Sequence, residues 1–82
     1  MHTILLRGGD YQTARELHGA LKRLLDLPDH YGHNADALYD CLSERRETVR
    51  LIIAGQGCDD VAAALNKCAA VVSDLGGQVT RL

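Results

Sequence analysis

Two carboxylates lie one helical turn apart in the stretch LPDHYGHNADALYDCL, which spans residues 27–42. The spacing of its second half predicts a helix on which Asp36 and Asp40 share a face, where like charges repel by about a few tenths of a kcal/mol. Tyr39 and Ser43 fall on the same face. Carboxylates in this arrangement serve as catalytic acid and base, as part of a metal site, or as binding groups for basic side chains. The plainest alternative is an ordinary solvated helix surface.

Catalysis and metal binding are the two uses that the sequence favours least. His30 and His33 lie near Cys41 and the acids, but an H-x-x-H spacing lacks the paired ligands of a structural zinc site. Cys41 is a poor candidate for a nucleophile paired with a histidine, because it falls on the apolar stripe of the predicted helix. Asp36 and Asp40 as acid and base would stand on a convex helix that implies no pocket. We therefore expect no enzyme, no metal site and no cofactor.

The composition predicts one small domain that binds neither nucleic acid nor a membrane directly. A chain of 82 residues buries about 60% of its unfolded surface on folding, which leaves room for one core. Aliphatic residues must fill that core, because the chain has no Phe, no Trp and only three Tyr. A net charge of −2 gives the chain no overall electrostatic attraction to nucleic acid or to an anionic membrane. We expect a single domain over residues 1–82.

The cysteines and the first residues indicate a cytoplasmic protein. Cys41, Cys58 and Cys68 cannot all pair within one chain, and none belongs to a C-x-x-C spacing. In the first residues, MHTILLRGGD, the apolar run is too short and is followed too closely by polar residues for a signal peptide. No apolar run approaches the ~20 residues of a membrane span. We therefore expect reduced, mostly buried thiols in a cytoplasmic protein.

Three short strands are predicted around the acidic stretch. Apolar runs bounded by glycine predict strands at residues 3–6 and 49–54, and a short final strand follows at 78–82. Helical patterns separate each strand from the next, so the strands are expected to pair in parallel. The predicted fold is α/β, a small three-stranded parallel sheet with about three helices packed on it.

The first helix and the segment after it are predicted from a capping box and a proline. Thr13 and Glu16 have the spacing of that box, and Pro28 closes the helical segment. His18 in this helix has no visible partner and is expected to be partly buried. The segment from Pro28 onward is irregular, with Gly32 available for its turn.

The other two helices also begin at capping residues. Asn34 is expected to cap a helix over residues 35–45, and Asp59 is expected to cap a third helix. The third helix keeps its apolar period until Gly76 and Gly77, which are a good C-terminal stop. The acids of the opening stretch therefore lie on the second predicted helix.

A pattern of fixed offsets, L-P-x-x-Y-G-x-N-x-D-A-L-(aromatic)-D-C-L, connects this helix with the loop before it. Its members are Leu27, Pro28, Tyr31, Gly32, Asn34, Asp36, Ala37, Leu38, Tyr39, Asp40, Cys41 and Leu42. With this pattern the chain resembles the barstar family, intracellular inhibitors of the extracellular ribonuclease barnase. The resemblance runs without a gap from about residue 8 to residue 43. Beyond residue 43 the resemblance consists of the order of elements and a G-x-x-(β-branched)-T ending at residues 76–80. The family has a small extra helix after its second strand, and the stretch GQGCDD at that place is too short to contain it.

The resemblance implies a contact surface for a ribonuclease, because in this family the second helix and the preceding loop plug the enzyme's active site. The implied contact residues are His30, Tyr31, Gly32, Asn34, Asp36, Tyr39, Asp40 and Ser43. Asp40 matches the family's central acid. The family's helical Glu aligns with Val71, and Asp74 is expected to face the same way in its place.

The function implied by the resemblance is inhibition of a barnase-type or related ribonuclease. A carboxylate replaces an RNA phosphate through charge-assisted hydrogen bonds to the enzyme's basic residues. An acidic patch that faces a basic cleft also accelerates encounter. The chain would then be an immunity protein for the cell that makes the enzyme, and a monomer when free.

Departures from the family pattern keep a second interpretation open. Tyr39 stands where the family usually has Trp, and His30 replaces the first residue of its Tyr pair. Arg45 and Arg46 add positive charge beside the acidic surface, although cations at a helix C-terminus are favourable. A non-inhibitory interaction or regulatory domain that kept the fold is therefore the alternative. An RNA-binding module fits less well, because the chain lacks a basic or aromatic platform.

Overall fold

Three parallel strands form a single sheet in the computed structural model, which describes residues 1–82. The strands are β1 (His2–Arg7), β2 (Val49–Ala54) and β3 (Gln78–Arg81), and they lie in the order β1-β2-β3. Both neighbouring pairs are parallel. The predicted three-stranded parallel sheet is therefore confirmed. β2 has the predicted bounds, β1 extends one residue further at each end, and β3 stops one residue earlier.

Three helices connect the strands, as predicted for an α/β fold. They are α1 (Ala14–Leu24), α2 (Ala35–Ser43) and α3 (Asp59–Asp74). A short 3-10 turn at Gly8–Asp10, not predicted from the sequence, follows β1. α2 ends two residues earlier than predicted. No further helix lies between β2 and α3, in agreement with the short GQGCDD stretch.

The helices pack on one face of the sheet. Side chains alternate between the two faces of a strand, and Ile4 and Leu6 of β1 and Leu51 and Ile53 of β2 are all buried. Leu5, which points to the opposite face, is 42% exposed. The core lies between the inner face of the sheet and the helices, and α3 contacts both β2 and β3. The three helices thus lie on one side of the sheet.

The capping box of α1 is present with one difference. Thr13 Oγ1 accepts a hydrogen bond from the Glu16 backbone N–H at 3.1 Å, as predicted. Glu16 Oε2 accepts from the backbone N–H of Gln12 at 3.2 Å, one residue before the cap. The first bond satisfies a donor that the first turn of a helix leaves free, and the second ties the residue before the N-cap to that turn. The prediction that this segment starts a helix is confirmed.

The prediction that Asp59 caps α3 is wrong. Cys58 is the N-cap residue, without a side-chain capping bond, and Asp59 is the first helical residue. The reason is tertiary, because the start of α3 is tied to the start of α1. The Cys58 thiol donates to the Gln12 carbonyl at 3.3 Å, and Asp60 Oδ2 accepts from the Ala14 N–H at 2.7 Å.

Candidate functional site

The acidic face of α2 consists of Asp36, Tyr39, Asp40 and Ser43, and all four residues are exposed. The opposite side of the helix carries the buried residues Leu38 and Leu42. This division between a polar and an apolar side is as the sequence predicted. Neither carboxylate of the acidic face takes part in an ion pair within the chain. Both are therefore free to accept hydrogen bonds from a partner.

Asn34 fixes the first turn of α2 and its connection to the loop. Its Oδ1 accepts from the Ala37 N–H at 2.8 Å, so the predicted N-cap is confirmed. Its Nδ2 donates to the Gly32 carbonyl oxygen at 3.2 Å. Asp36 in the same turn lies near the positive end of the helix dipole, which favours a carboxylate there. The capping bond and the dipole offset part of the repulsion between Asp36 and Asp40.

The loop between α1 and α2 is held by its own backbone. The Leu27 N–H donates to the Lys22 carbonyl and the Tyr31 N–H to the Pro28 carbonyl, both at 2.9 Å. Gly32, which the sequence offers for the turn, does not adopt a positive φ, and the left-handed residue of this segment is His33, with φ of 55°. His33 Nδ1 lies 2.9 Å from the Tyr31 carbonyl oxygen. This contact stabilises an unusual backbone conformation for a residue with a side chain.

The Tyr31 side chain is buried in the core, in contrast to the other residues of the implied contact surface, which are exposed. The residue is 4% exposed, and its hydroxyl lies 2.6 Å from His18 Nδ1 on α1. His18 is also 4% exposed. The prediction that His18 is partly buried without a partner is therefore wrong on both points. Burial raises the pKa of Tyr31, while burial and then the charge of His33 lower the pKa of His18.

A groove of about 820 Å³ runs between this loop and α2. The expectation of a convex helix without a pocket is therefore wrong, because the loop folds back beside the helix. The lining residues are Asp26, Leu27, Pro28, His30, Tyr31, Gly32, Ala37, Asp40, Cys41, Ser43, Glu44 and Arg45. The groove thus brings together several of the predicted contact residues with two further acids.

Arg45 is turned toward the protein. Its guanidinium donates a hydrogen bond to the carbonyl oxygen of Leu25, and the residue is half-buried. Arg46 next to it is exposed. Of the two cations that the sequence places beside the acidic face, one is therefore engaged with the backbone of the loop.

The remaining predicted residues are distributed over the loop and α3. His30 and Gly32 are exposed beside the groove. Asp74 is the exposed last residue of α3, whereas Val71 is buried in the core. No hydrogen bond or ion pair connects Asp74 with the acidic face. Sequence reasoning missed Asp26 and Glu44, whose position on the groove depends on how the loop packs against α2.

All three cysteines are free thiols, as expected, but they differ in exposure. Cys68 is buried, Cys41 is half-buried and Cys58 is exposed, so the expectation of mostly buried thiols is wrong for Cys58. Burial raises the pKa of the Cys68 thiol to about 12. Burial, followed by the charges of Glu44 and Asp40, also raises the pKa of Cys41. A raised pKa disfavours the thiolate that a nucleophile requires.

No cluster of three or more histidine, cysteine or carboxylate side chains is placed to hold a metal ion. None of the helices combines the length and the apolar character that a bilayer crossing requires.

Comparisons with known proteins agree with this architecture. The sequence profile of the family described as "Barstar (barnase inhibitor)" matches residues 1–80. The chain is also 49% identical over 43 residues to a Bacillus subtilis (strain 168) protein named "Putative ribonuclease inhibitor YrdF". That match covers 52% of this chain and 47% of the relative, so it spans about half the length of the curated relative. Because the family profile extends over nearly the whole chain, and the fold has the expected sheet and helices, the chain belongs to the barstar family.

Proposed function

We propose that this chain inhibits a barnase-type or related ribonuclease by covering its active site with the acidic face and the loop before α2. The observation that carries the proposal is Asp40, an exposed carboxylate without an internal ion pair that also lines the groove. The name of the Bacillus subtilis relative supports the same activity. The chain would act as a single domain, as a monomer when free, in the cytoplasm of the cell that makes the enzyme.

The chemistry of the proposed interaction is replacement of an RNA phosphate by a carboxylate. A ribonuclease holds phosphates with Arg, Lys and His side chains, and a carboxylate accepts charge-assisted hydrogen bonds from the same groups. Such bonds gain strength when the complex excludes water from the cleft. The repulsion between Asp36 and Asp40 is then relieved, because each acid gains a basic partner.

Asp36 and Asp40 lie at different positions relative to the groove, so we expect them to contribute differently to binding. Asp40 lines the groove together with His30 and Ser43, whereas Asp36 lies one turn earlier and outside the groove lining. A basic side chain that enters the groove would meet Asp40 along with Asp26 and Glu44. We therefore expect Asp40 to contribute most to binding.

Substitution of Asp40 is the experiment that tests this proposal. Asp40→Asn removes the charge with little change in shape and would leave basic groups of the enzyme buried without an anion, a loss of about 2 to 5 kcal/mol for desolvated pairs. The measurement is inhibition of barnase by the wild type, Asp40→Asn and Asp36→Asn. Asp10→Asn removes the same charge from an exposed position in the 3-10 turn and is the matched control.

A thermal melt of each variant separates binding from folding. Fold stability of Asp40→Asn should stay the same or rise slightly, since repulsion with Asp36 disappears. If the wild type inhibits and Asp40→Asn inhibits equally well, the assignment of the site is wrong. If the wild type inhibits no ribonuclease of this type, the non-inhibitory interaction domain becomes the better interpretation.

A further inference from the structure

One buried polar contact connects α1 with the proposed binding loop. His18 is the one polar side chain among the buried residues of the core. Its Nδ1 lies 2.6 Å from the hydroxyl of Tyr31, and this is the only buried hydrogen bond between two side chains. The two rings also pack against each other, with 5.8 Å between their centroids. A polar pair in an otherwise aliphatic core specifies one arrangement of the groups that carry it.

Tyr31 extends this contact to both ends of the loop. Its N–H donates to the Pro28 carbonyl at 2.9 Å, and its own carbonyl oxygen lies 2.9 Å from His33 Nδ1. Its hydroxyl also donates to the carbonyl oxygen of Asn34 at 3.4 Å. Asn34 is the N-cap of α2, so the chain of contacts runs from α1 to the first turn of the helix that carries the acidic face.

We propose that His18 is a positioning residue for the ribonuclease-binding surface, acting through the Tyr31 hydroxyl to hold residues 28–34 and the start of α2 in the binding arrangement. This inference rests on the proposed function. His18 is 4% exposed and does not line the groove, so its effect on a partner is indirect. His18 would set the fraction of free molecules whose loop is in the binding arrangement. If that fraction falls, the apparent affinity for the partner falls in the same proportion.

Two single substitutions and their combination distinguish this role from ordinary core packing. Tyr31→Phe leaves His18 Nδ1 without a partner, and His18→Leu leaves the Tyr31 hydroxyl with only its 3.4 Å bond to the Asn34 carbonyl oxygen. Each single variant should be less stable, because a buried polar group loses its hydrogen-bond partner. The double variant His18→Leu/Tyr31→Phe removes both the imidazole and the hydroxyl. No buried polar group then lacks a partner, so this variant should recover most of the lost stability.

Binding should not recover with stability in the double variant. If the contact positions the loop, the double variant should fold well and still bind barnase about tenfold more weakly, as for a loop that is competent about one-tenth of the time. If the contact is only structural, affinity should return to the wild-type value together with the melting temperature. The two roles therefore predict opposite behaviour in one protein.

The experiment measures the Kd for barnase and the amide hydrogen exchange of the free variants, at a temperature where circular dichroism shows each to be folded. Tyr11→Phe removes a phenol hydroxyl that makes no hydrogen bond in the structure and is the matched control. In the free double variant the Tyr31 and Ala37 amides should exchange faster than in the wild type, since their acceptors lie in the loop and at the N-cap. Wild-type affinity with unchanged exchange in the double variant would overturn the positioning role. If the wild type itself does not bind barnase, the proposed partner is wrong, and the exchange of these two amides alone decides whether His18 positions the loop.

Discussion

The proposed binding role of Asp40 would explain why α2 carries a repulsive pair of acids. A repulsion of a few tenths of a kcal/mol is small beside the ~2 to 5 kcal/mol expected for pairing with basic groups in a desolvated cleft. The position of Asp40 on the groove, with no internal ion pair, leaves its carboxylate available for such a partner. The pair of acids therefore fits a binding surface better than an ordinary solvated face.

Protonation of His18 gives a prediction about stability and pH. Burial lowers its pKa in the folded protein below the ordinary value of 6.5, so the unfolded chain binds more protons in this range. Stability from the neutral ring is fully present above about pH 6.5 and is lost as the pH falls from there toward the lowered folded value. The slope for one proton is at most about 1.4 kcal/mol per pH unit.

Urea unfolding at several pH values between 4.5 and 7.5 measures this effect. His18→Gln cannot titrate at this position and should show a smaller loss of stability on acidification than the wild type. The same pH dependence in the wild type and in His18→Gln would show that other groups cause it.

The residues that could be predicted from the sequence are those whose role depends on neighbours in the chain. The separation of Asp36 and Asp40 from Leu38 and Leu42 follows from helical spacing alone. The partner of His18 could not be predicted, because Tyr31 is 13 residues away and reaches His18 only after the loop folds back. Tyr31 itself was placed on the surface by analogy, and its burial became visible only from packing.

The helix α2 depends on its N-cap. Asn34→Ala removes the acceptor of the Ala37 N–H and should lower the unfolding free energy by about 0.5 to 2 kcal/mol. It should also weaken inhibition of barnase, since the same side chain donates to the Gly32 carbonyl in the loop. Denaturant unfolding and inhibition titrations measure the two effects.

Asn34→Asp is the control for this prediction, because an aspartate caps a helix about as well but cannot donate to Gly32. Its stability should stay close to that of the wild type. An Asn34→Ala variant as stable as the wild type would mean that the capping bond contributes little in this context.

Strong local signals allowed most elements to be predicted. The run VRLIIA has the observed bounds of β2, and the capping residues of α1 and α2 are correct. The start of α3 was missed because Cys58 and Asp60 bond to residues 46 positions earlier in the chain. The groove was missed for the same reason, since it exists only where the loop packs beside α2.

Although the net charge of the chain is only −2, its acids are concentrated locally. Asp26, Asp40 and Glu44 line one groove, and Arg45 beside them is bonded to the backbone. If this surface steers association, the on-rate for barnase should fall steeply as the Debye length shortens from ~10 Å at 0.1 M salt to ~3 Å at 1 M. The off-rate should respond less.

Stopped-flow association at a series of salt concentrations measures this dependence. Asp36→Asn should reduce the salt dependence of the on-rate more than Asp10→Asn, because Asp36 belongs to the acidic face. An on-rate of the wild type that does not change with salt would mean that Arg46 and neighbouring cations cancel the field.

Competition with RNA tests whether this chain covers the active site of a ribonuclease. The measurement is the initial rate of barnase on a short RNA at several concentrations of RNA and of the wild-type chain. Because the acidic face would occupy the phosphate sites, inhibition should saturate at one chain per enzyme and should weaken as the RNA concentration rises. Absence of inhibition at a large excess of the chain, or inhibition that RNA does not relieve, would contradict the claim.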